Sequence, residues 1–206
     1  ISVIGAGFVG LVTAACFADE GNSVTCIEKN EQRLQKIQSG KAPFYEPGLN
    51  EMLPVNASQS LDSLKTANII FLAVGTPTVN EKIDLSYVEA ACTEIGHAIQ
   101  GRNDFPVIVV KSTVVPGTTN GAVRKALEAA SNSNAGENFG LCMNPEFLQE
   151  GRAVEDFKNP DRIVLGCSDL RTQGIMKDLY KAYDCPIFIM TPSNAELCKY
   201  TNNCLL

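Results

Sequence analysis

The chain has 206 residues, 45% of them apolar and 19% charged, with a formal net charge of −6. That length allows one large domain, or one domain and part of another. The acidic balance and the lack of a basic run argue against a nucleic-acid or anionic-membrane surface, and no apolar run approaches the roughly eighteen residues of a membrane span.

Ile1 to Ile4 reads as a strand that runs into Gly5-Ala6-Gly7-Phe8-Val9-Gly10 and then a helical stretch, Leu11 to Asp19. Strand, turn and helix together form the context in which G-x-G-x-x-G signals dinucleotide binding. Gly5 permits the tight turn, Gly7 leaves room for a pyrophosphate, and Gly10 lets the helix close on the strand. The helix N-terminus offers N–H groups and partial positive charge to the phosphates. A second strand, Ser23 to Ile27, ends in Glu28, eighteen residues past Gly10. That is close to the spacing of about 20 expected of the acid that receives the ribose hydroxyls. Glu28 would repel a 2′-phosphate, which favours NAD over NADP. Lys29 and Arg33 weaken that argument, although Arg33 could equally stack on adenine.

Further along, Ile69 to Val74 reads as a buried parallel strand, followed by Gly75-Thr76-Pro77-Thr78 and a polar loop to Asp84. A helix spans about Ser86 to Ile99, and Pro106 to Val110 is the next buried strand. Lys111 to Thr118 leads into a helix to about Ala130, then an Asn/Ser-rich turn over 131–138 and the strand Phe139 to Met143. That strand opens into Asn144 to Gly151, which sets Glu146 and Glu150 four residues apart. A strand at Arg162 to Gly166, a helix around Leu170 to Tyr183 and a strand at Pro186 to Met190 complete the pattern. The alternation predicts an α/β fold: a doubly wound, mainly parallel Rossmann-type sheet with helices on both faces.

Strand ends in such a sheet border the ligand crevice. Here they carry Val74-Gly75-Thr76-Pro77, Ser112-Thr113 and Asn144-Pro145. Thr113 is a candidate hydroxyl for ordering water or a carboxamide; the alternative is that these Thr and Pro residues only form turns. The eight cysteines, at 16, 26, 92, 142, 167, 185, 198 and 204, include no C-x-x-C pair, and there is one His. This pattern argues against zinc and disulfide frameworks, so no metal is expected and the thiols read as small apolar core groups. Composition and the lack of a signal peptide fit a cytoplasmic enzyme domain, and a first residue other than Met suggests that the true start lies upstream.

The chain resembles the N-terminal part of the UDP-glucose/GDP-mannose dehydrogenase family. The matching segments are Gly5 to Gly10, Phe44-Tyr-Glu-Pro-Gly-Leu49, Ala73 to Pro77, Ser112 to Thr118, Asn144 to Gly151, Pro160 to Val164, and Ala195 to Tyr200 with Asn203, in family order along nearly the whole chain. The resemblance implies oxidation of the C6 primary alcohol of a nucleotide sugar to a carboxylate, using two NAD and a cysteine thioester. It assigns Glu146 to a catalytic water or proton, Phe147 and Leu148 to the sugar nucleotide, and Glu150 to the nicotinamide end of NAD. It also assigns Lys199 to the alkoxide and oxyanion, with Asn203 one turn further along the same helix face. Without the family, Lys199 would read as an exposed helix lysine.

The resemblance further divides the chain into a NAD-binding domain, 1–190, and the start of an inter-domain helix, 191–206. A homodimer through the helix beginning near 193 is implied for the full-length protein. The Gly-rich segment bearing the family's nucleophilic cysteine does not occur here, so the chain is expected to bind NAD without completing the four-electron oxidation. Pro160 to Val164 resembles the UDP-sugar branch, whereas Lys199-Tyr200-Thr201 and Glu94 to Ile99 resemble GDP-mannose enzymes. UDP-glucose is the favoured substrate, with GDP-mannose and UDP-N-acetylhexosamines as alternatives. A β-hydroxyacid dehydrogenase and a non-catalytic NAD-binding module are the readings from other classes.

Overall fold

Alternate residues of the central strands face opposite sides of one sheet, and this divides the core in two. The computed structural model describes residues 1–205. Strands β1 (Ser2–Ile4), β2 (Thr25–Ile27), β3 (Ala57–Ser58), β4 (Ile69–Leu72), β7 (Val107–Val110), β8 (Gly140–Met143), β9 (Ile163–Cys167) and β10 (Ile187–Met190) form an eight-stranded sheet, while β5 (Thr78–Val79) and β6 (Lys82–Ile83) pair separately. Val3, Cys26, Phe71, Val107 and Val109 pack on one face with helices α1 (Phe8–Asp19), α5 (Ala153–Lys158) and α6 (Leu170–Leu179). Ile4, Ile27, Ile70, Leu72, Ile108 and Val110 pack on the other with α3 (Ser86–Ile99) and α4 (Arg124–Ser131). Strands β1, β4, β7, β8 and β9 are short and wholly buried because both faces are covered, which is why they read as continuous apolar runs.

The sheet order is β10-β9-β8-β7-β4-β1-β2-β3. With the β5–β6 hairpin set aside, the first six strands of the sheet stand in the doubly wound 3-2-1-4-5-6 order, whose direction of winding reverses between β1 and β4. All pairings along this stretch are parallel. The exception comes beyond it: β9 runs antiparallel to β8 through Cys142↔Cys167 and Met143↔Gly166. The short helix α5 between them does not make a right-handed crossover of the usual length, so the chain returns in the opposite direction.

Three local differences from the sequence reading have clear causes. The stretch expected to be a polar loop to Asp84 contains the β5–β6 hairpin, because Asn80 and Glu81 both take positive φ (50° and 62°), as a type I′ turn requires. Helix α2 (Glu31–Gln38), which the reading passed over, is nucleated by Asn30, whose side chain accepts from Arg33 N at 2.9 Å. Helix α6 stops at Leu179, short of the expected Tyr183. The final helix, α7 (Pro192–Leu205), buries Ala195, Glu196 and Lys199 against the sheet. Among the described residues no helix is long and apolar enough to cross a membrane.

Backbone packs tightly around the first turn. Gly5 has φ +94°, and a Cβ there would stand 2.7 Å from Ala73 O; a Cβ on Gly10 would stand 1.8 Å from Gly5 O. Backbone lies on both sides, so neither neighbour can rotate away. Gly10→Ala is therefore expected to lower stability by about 1–3 kcal/mol or more in urea unfolding, as overpacking does.

Candidate functional site

The N-terminus of α1 opens at the sheet's carboxyl edge with Gly7 as its cap residue and no side chain capping it. Those N–H groups are directed toward whatever occupies the turn. A Cβ added to Gly7 would meet no protein atom within 4 Å. The turn is thus tight at Gly5 and Gly10 and open at Gly7, the arrangement a pyrophosphate needs.

Glu28 closes the neighbouring corner. It is 6% exposed, and its carboxylate accepts from Ala6 N (3.0 Å), Asn30 N (2.7 Å) and Arg33 Nη1 (3.0 Å). A carboxylate offers about four acceptor positions, so one remains for a ribose hydroxyl. The two cations that weakened the case for NAD over NADP are both committed to carboxylates: Arg33 to Glu28, and Lys29 to Glu94 at 2.6 Å. Neither stands as an unshared partner for a 2′-phosphate.

The loops after β4 and β7 are joined directly. Thr76 Oγ1 donates to Thr113 O at 2.8 Å, and the buried Ser112 hydroxyl donates to Val74 O at 2.6 Å. The hydroxyls at 76 and 112 therefore brace one loop against the other, while Thr113 is half-buried at their junction. Gly75 lies in this brace with open space at its Cβ position.

Beyond β8, Glu146 and Lys199 form an ion pair at 2.7 Å, their side chains only 10% and 9% exposed. The second oxygen of Glu146 accepts from Leu148 N at 2.7 Å. The Phe147 ring lies between cations, with Arg162 Cζ 4.3 Å and Lys199 Nζ 5.9 Å from its centroid. Lys199 is thus not the exposed helix lysine that the bare sequence suggests. Glu150 and Asn203 are exposed, so the structure unites Glu146, Phe147 and Lys199 but leaves Asn203 outside that cluster.

Two buried acids, Glu46 and Glu196, went without a role in the sequence reading. Glu46 is 3% exposed and accepts from Gly151 N (2.9 Å) and Ala153 N (2.8 Å), which fixes the end of the Asn144–Gly151 segment. Glu196 is fully buried and accepts from Thr119 N (2.7 Å), Thr119 Oγ1 (2.6 Å) and Gly117 N, which fixes the loop that carries Thr113 to α7. Each sits in a segment already singled out, Phe44 to Leu49 and Ala195 to Tyr200. An acid amid Pro, Gly and apolar neighbours was the available signal.

All eight cysteines are free thiols. Burial pushes Cys16, Cys26 and Cys92 up to about 12, which leaves them protonated and unreactive near neutral pH. Among the described residues no group of three or more His, Cys, Asp or Glu side chains is placed to hold a metal ion.

Breaking the buried ion pair from one side should cost more than removing it whole. Glu146→Ala, which leaves the Lys199 charge without its partner, is expected to lose about 3–5 kcal/mol in urea unfolding at pH 7. The double replacement Glu146→Leu with Lys199→Met is expected to be close to neutral.

Comparison with known proteins agrees with this geometry. Residues 1–184 match the UDP-glucose/GDP-mannose dehydrogenase family, NAD binding domain. The UDP-glucose 6-dehydrogenase of Rhizobium meliloti (strain 1021) is 41% identical over 221 residues, covering 100% of this chain and 49% of that protein. The GDP-mannose 6-dehydrogenase of Pseudomonas aeruginosa is 37% identical over 212 residues, covering 98% and 49%. Among solved structures, a ternary complex of GDP-mannose dehydrogenase from Pseudomonas aeruginosa superimposes with a TM-score of 0.96 at 35% identity, over 99% of this chain and 49% of that one. A UDP-glucose dehydrogenase from Pyrobaculum islandicum does so with 0.93 at 39% identity, again over 99% and 49%. The chain spans about half the length of the curated relatives it matches.

Proposed function

Because the chain belongs to the UDP-glucose/GDP-mannose dehydrogenase family as its NAD-binding domain, we propose that the protein it forms part of is a nucleotide-sugar 6-dehydrogenase. It oxidises the C6 primary alcohol of a nucleotide sugar to a carboxylate with NAD, and UDP-glucose is the favoured substrate. The observation that carries this reading is the Glu146–Lys199 pair, held out of water at the same sheet edge as the open Gly7 turn.

The Gly5–Gly10 turn and the first N–H groups of α1 hold the pyrophosphate, with Ala6, Phe8 and Val9 forming the walls of that turn. Glu28 receives a ribose hydroxyl, and Arg33 flanks the adenine end. Val74 to Pro77, Ser112, Thr113 and Glu150 surround the nicotinamide end. Bound NAD supplies the hydride acceptor. Lys199 places an ammonium against negative charge developing on the substrate oxygen, in a site dry enough for that charge to count. Glu146, with one oxygen fixed by Leu148 N, manages the proton or water. Phe147 and Leu148 face the sugar nucleotide, and Asn203, exposed one turn further along α7, meets it from outside the Glu146–Phe147–Lys199 cluster. The thioester nucleophile of this reading is a cysteine outside residues 1–206. The helix α7 also carries Leu197 and Leu205, 53% and 81% exposed, which supports a homodimer through this helix.

A second substrate, GDP-mannose, is supported by Lys199-Tyr200-Thr201 and by the TM-score of 0.96 with a GDP-mannose enzyme. Parallel kcat/KM values for UDP-glucose and GDP-mannose, measured on the full-length protein, decide between them. NADH formation from neither sugar, nor from a UDP-N-acetylhexosamine, would overturn the reading.

Two further outcomes are expected. By calorimetry the chain binds NAD at least about tenfold more tightly than NADP, since the acid at 28 repels a 2′-phosphate; Gly7→Val removes NAD binding while leaving the melting temperature nearly unchanged. In the full-length protein, Lys199→Ala lowers kcat by about 10²–10³-fold, the range for a lost oxyanion donor.

A further inference from the structure

Lys111 follows β7 directly and is 5% exposed, yet among the described residues its ammonium has a single hydrogen-bond acceptor, Asn144 Oδ1 at 3.1 Å, and no ion-pair partner. Its Nζ stands 6.0 Å from the centre of the Phe71 ring. The same Asn144 oxygen accepts from Tyr180 OH at 2.7 Å, while Asn144 Nδ2 donates to Val164 O at 3.0 Å and its main-chain N to Val110 O at 2.9 Å. Asn144 is therefore held at once by β7, β9 and the C-terminal end of α6. Pro145 follows with its fixed φ, so the placement of Asn144 is transmitted to Glu146. Lys111, Asn144, Glu146 and Tyr180 line one cavity of about 200 Å³.

An ammonium buried without a carboxylate is costly, and a neutral donor would suffice to hold a carboxamide. The charge itself needs a use. We propose that Lys111 is a positioning residue for Glu146: it anchors Asn144, and its positive charge acts on the Glu146 carboxylate across the cavity that both line. The catalytic part of this inference rests on the assignment of Glu146 to nucleotide-sugar oxidation.

Burial lowers the Lys111 ammonium to about 8, with Glu146 pulling it back up and Lys199 adding to the fall. Cys142 on β8 and Tyr180, just past the end of α6, also face it, and burial raises both, so each is neutral at pH 7. Arg152, Asp156, Asp161 and Arg162 also line this cavity. Since the unfolded chain keeps the Lys111 proton up to about 10.5, the folded chain binds fewer protons between about 8 and 10.5, and the Lys111 contribution to stability rises with pH across that window.

Two measurements test the proposal. In this chain, NMR titration of ¹³C-labelled lysines is expected to show a midpoint near 8 that disappears in Lys111→Met. Glu146→Gln is expected to lower that midpoint by about half a unit or more, as removal of a nearby opposite charge does. A midpoint unmoved by Glu146→Gln overturns the proposal, whatever reaction the protein catalyses. Lys111→Met is also expected to be at least as stable as the parent at pH 7 and to lose the rise above pH 8; strong destabilisation would mark a structural brace and overturn it too.

In the full-length enzyme, Lys111→Gln keeps a donor for Asn144 but not the charge. Its rate of NADH formation is expected to lie about tenfold below the parent near pH 6.5 and within about twofold of it near pH 9, because the parent itself loses the Lys111 charge as pH rises through about 8. A Lys111→Gln profile that superimposes on the parent contradicts the role assigned to the charge. If no nucleotide sugar is oxidised at all, the functional reading fails, and the NMR coupling still decides whether Lys111 and Glu146 are linked.

Discussion

Loops at the carboxyl edge of a parallel sheet leave the ladder with main-chain N–H groups that have no strand to bond to, and in this protein buried glutamates accept them. Glu28 takes Ala6 and Asn30, Glu46 takes Gly151 and Ala153, and Glu196 takes Gly117 and Thr119. A carboxylate suits this task because two oxygens can serve two turns of chain at once, and charge-assisted bonds are stronger than neutral ones. The three acids are 6%, 3% and 0% exposed, so none of these bonds competes with water. Each acid lies far in sequence from at least one partner. The edge of the sheet is consequently one braced surface rather than a row of independent loops.

On that surface two kinds of charge burial meet. The bracing acids are satisfied mainly by backbone, with Arg33 added at Glu28 and the Thr119 hydroxyl at Glu196. Glu146 and Lys199 are satisfied by each other, and Lys111 by a carboxamide alone. Stability gives little reason for the last two arrangements, since well-packed apolar side chains of like volume do as well or better. They lie instead where the fold converges: β7 supplies Lys111, the β8 loop supplies Glu146, and α7 supplies Lys199. Glu196 and Lys199 stand one turn apart on α7, so one helix both braces the Thr113 loop and reaches the acid after β8.

Much of this was legible from the residues. Buried strands showed as apolar runs because both faces of the sheet are covered, and Gly5, Gly7 and Gly10 announced a turn that the backbone geometry requires. The antiparallel β9 was not legible, since direction depends on how α5 packs and not on any pattern within Arg162 to Gly166. The hairpin at 78–83 was hidden because Asn80-Glu81 lacks the Gly that usually marks such a turn. Burial of Lys199, and the bracing by Glu46 and Glu196, depend on partners distant in sequence, and composition alone cannot distinguish a capping acid from a solvated one. Glu46 and Glu196 lie within two of the family segments, and their physical roles emerged only from their partners.

The central claim is that this braced edge is a NAD site whose reacting end is the Glu146–Lys199 pair. A crystal structure of the chain grown with NAD tests it most directly. The account predicts pyrophosphate over Gly7 at the N-terminus of α1, the adenine ribose within hydrogen-bonding distance of Glu28, and the nicotinamide beside Thr76 and Thr113, facing Glu146. A dinucleotide bound elsewhere, or bound here with its nicotinamide turned away from that pair, would contradict it.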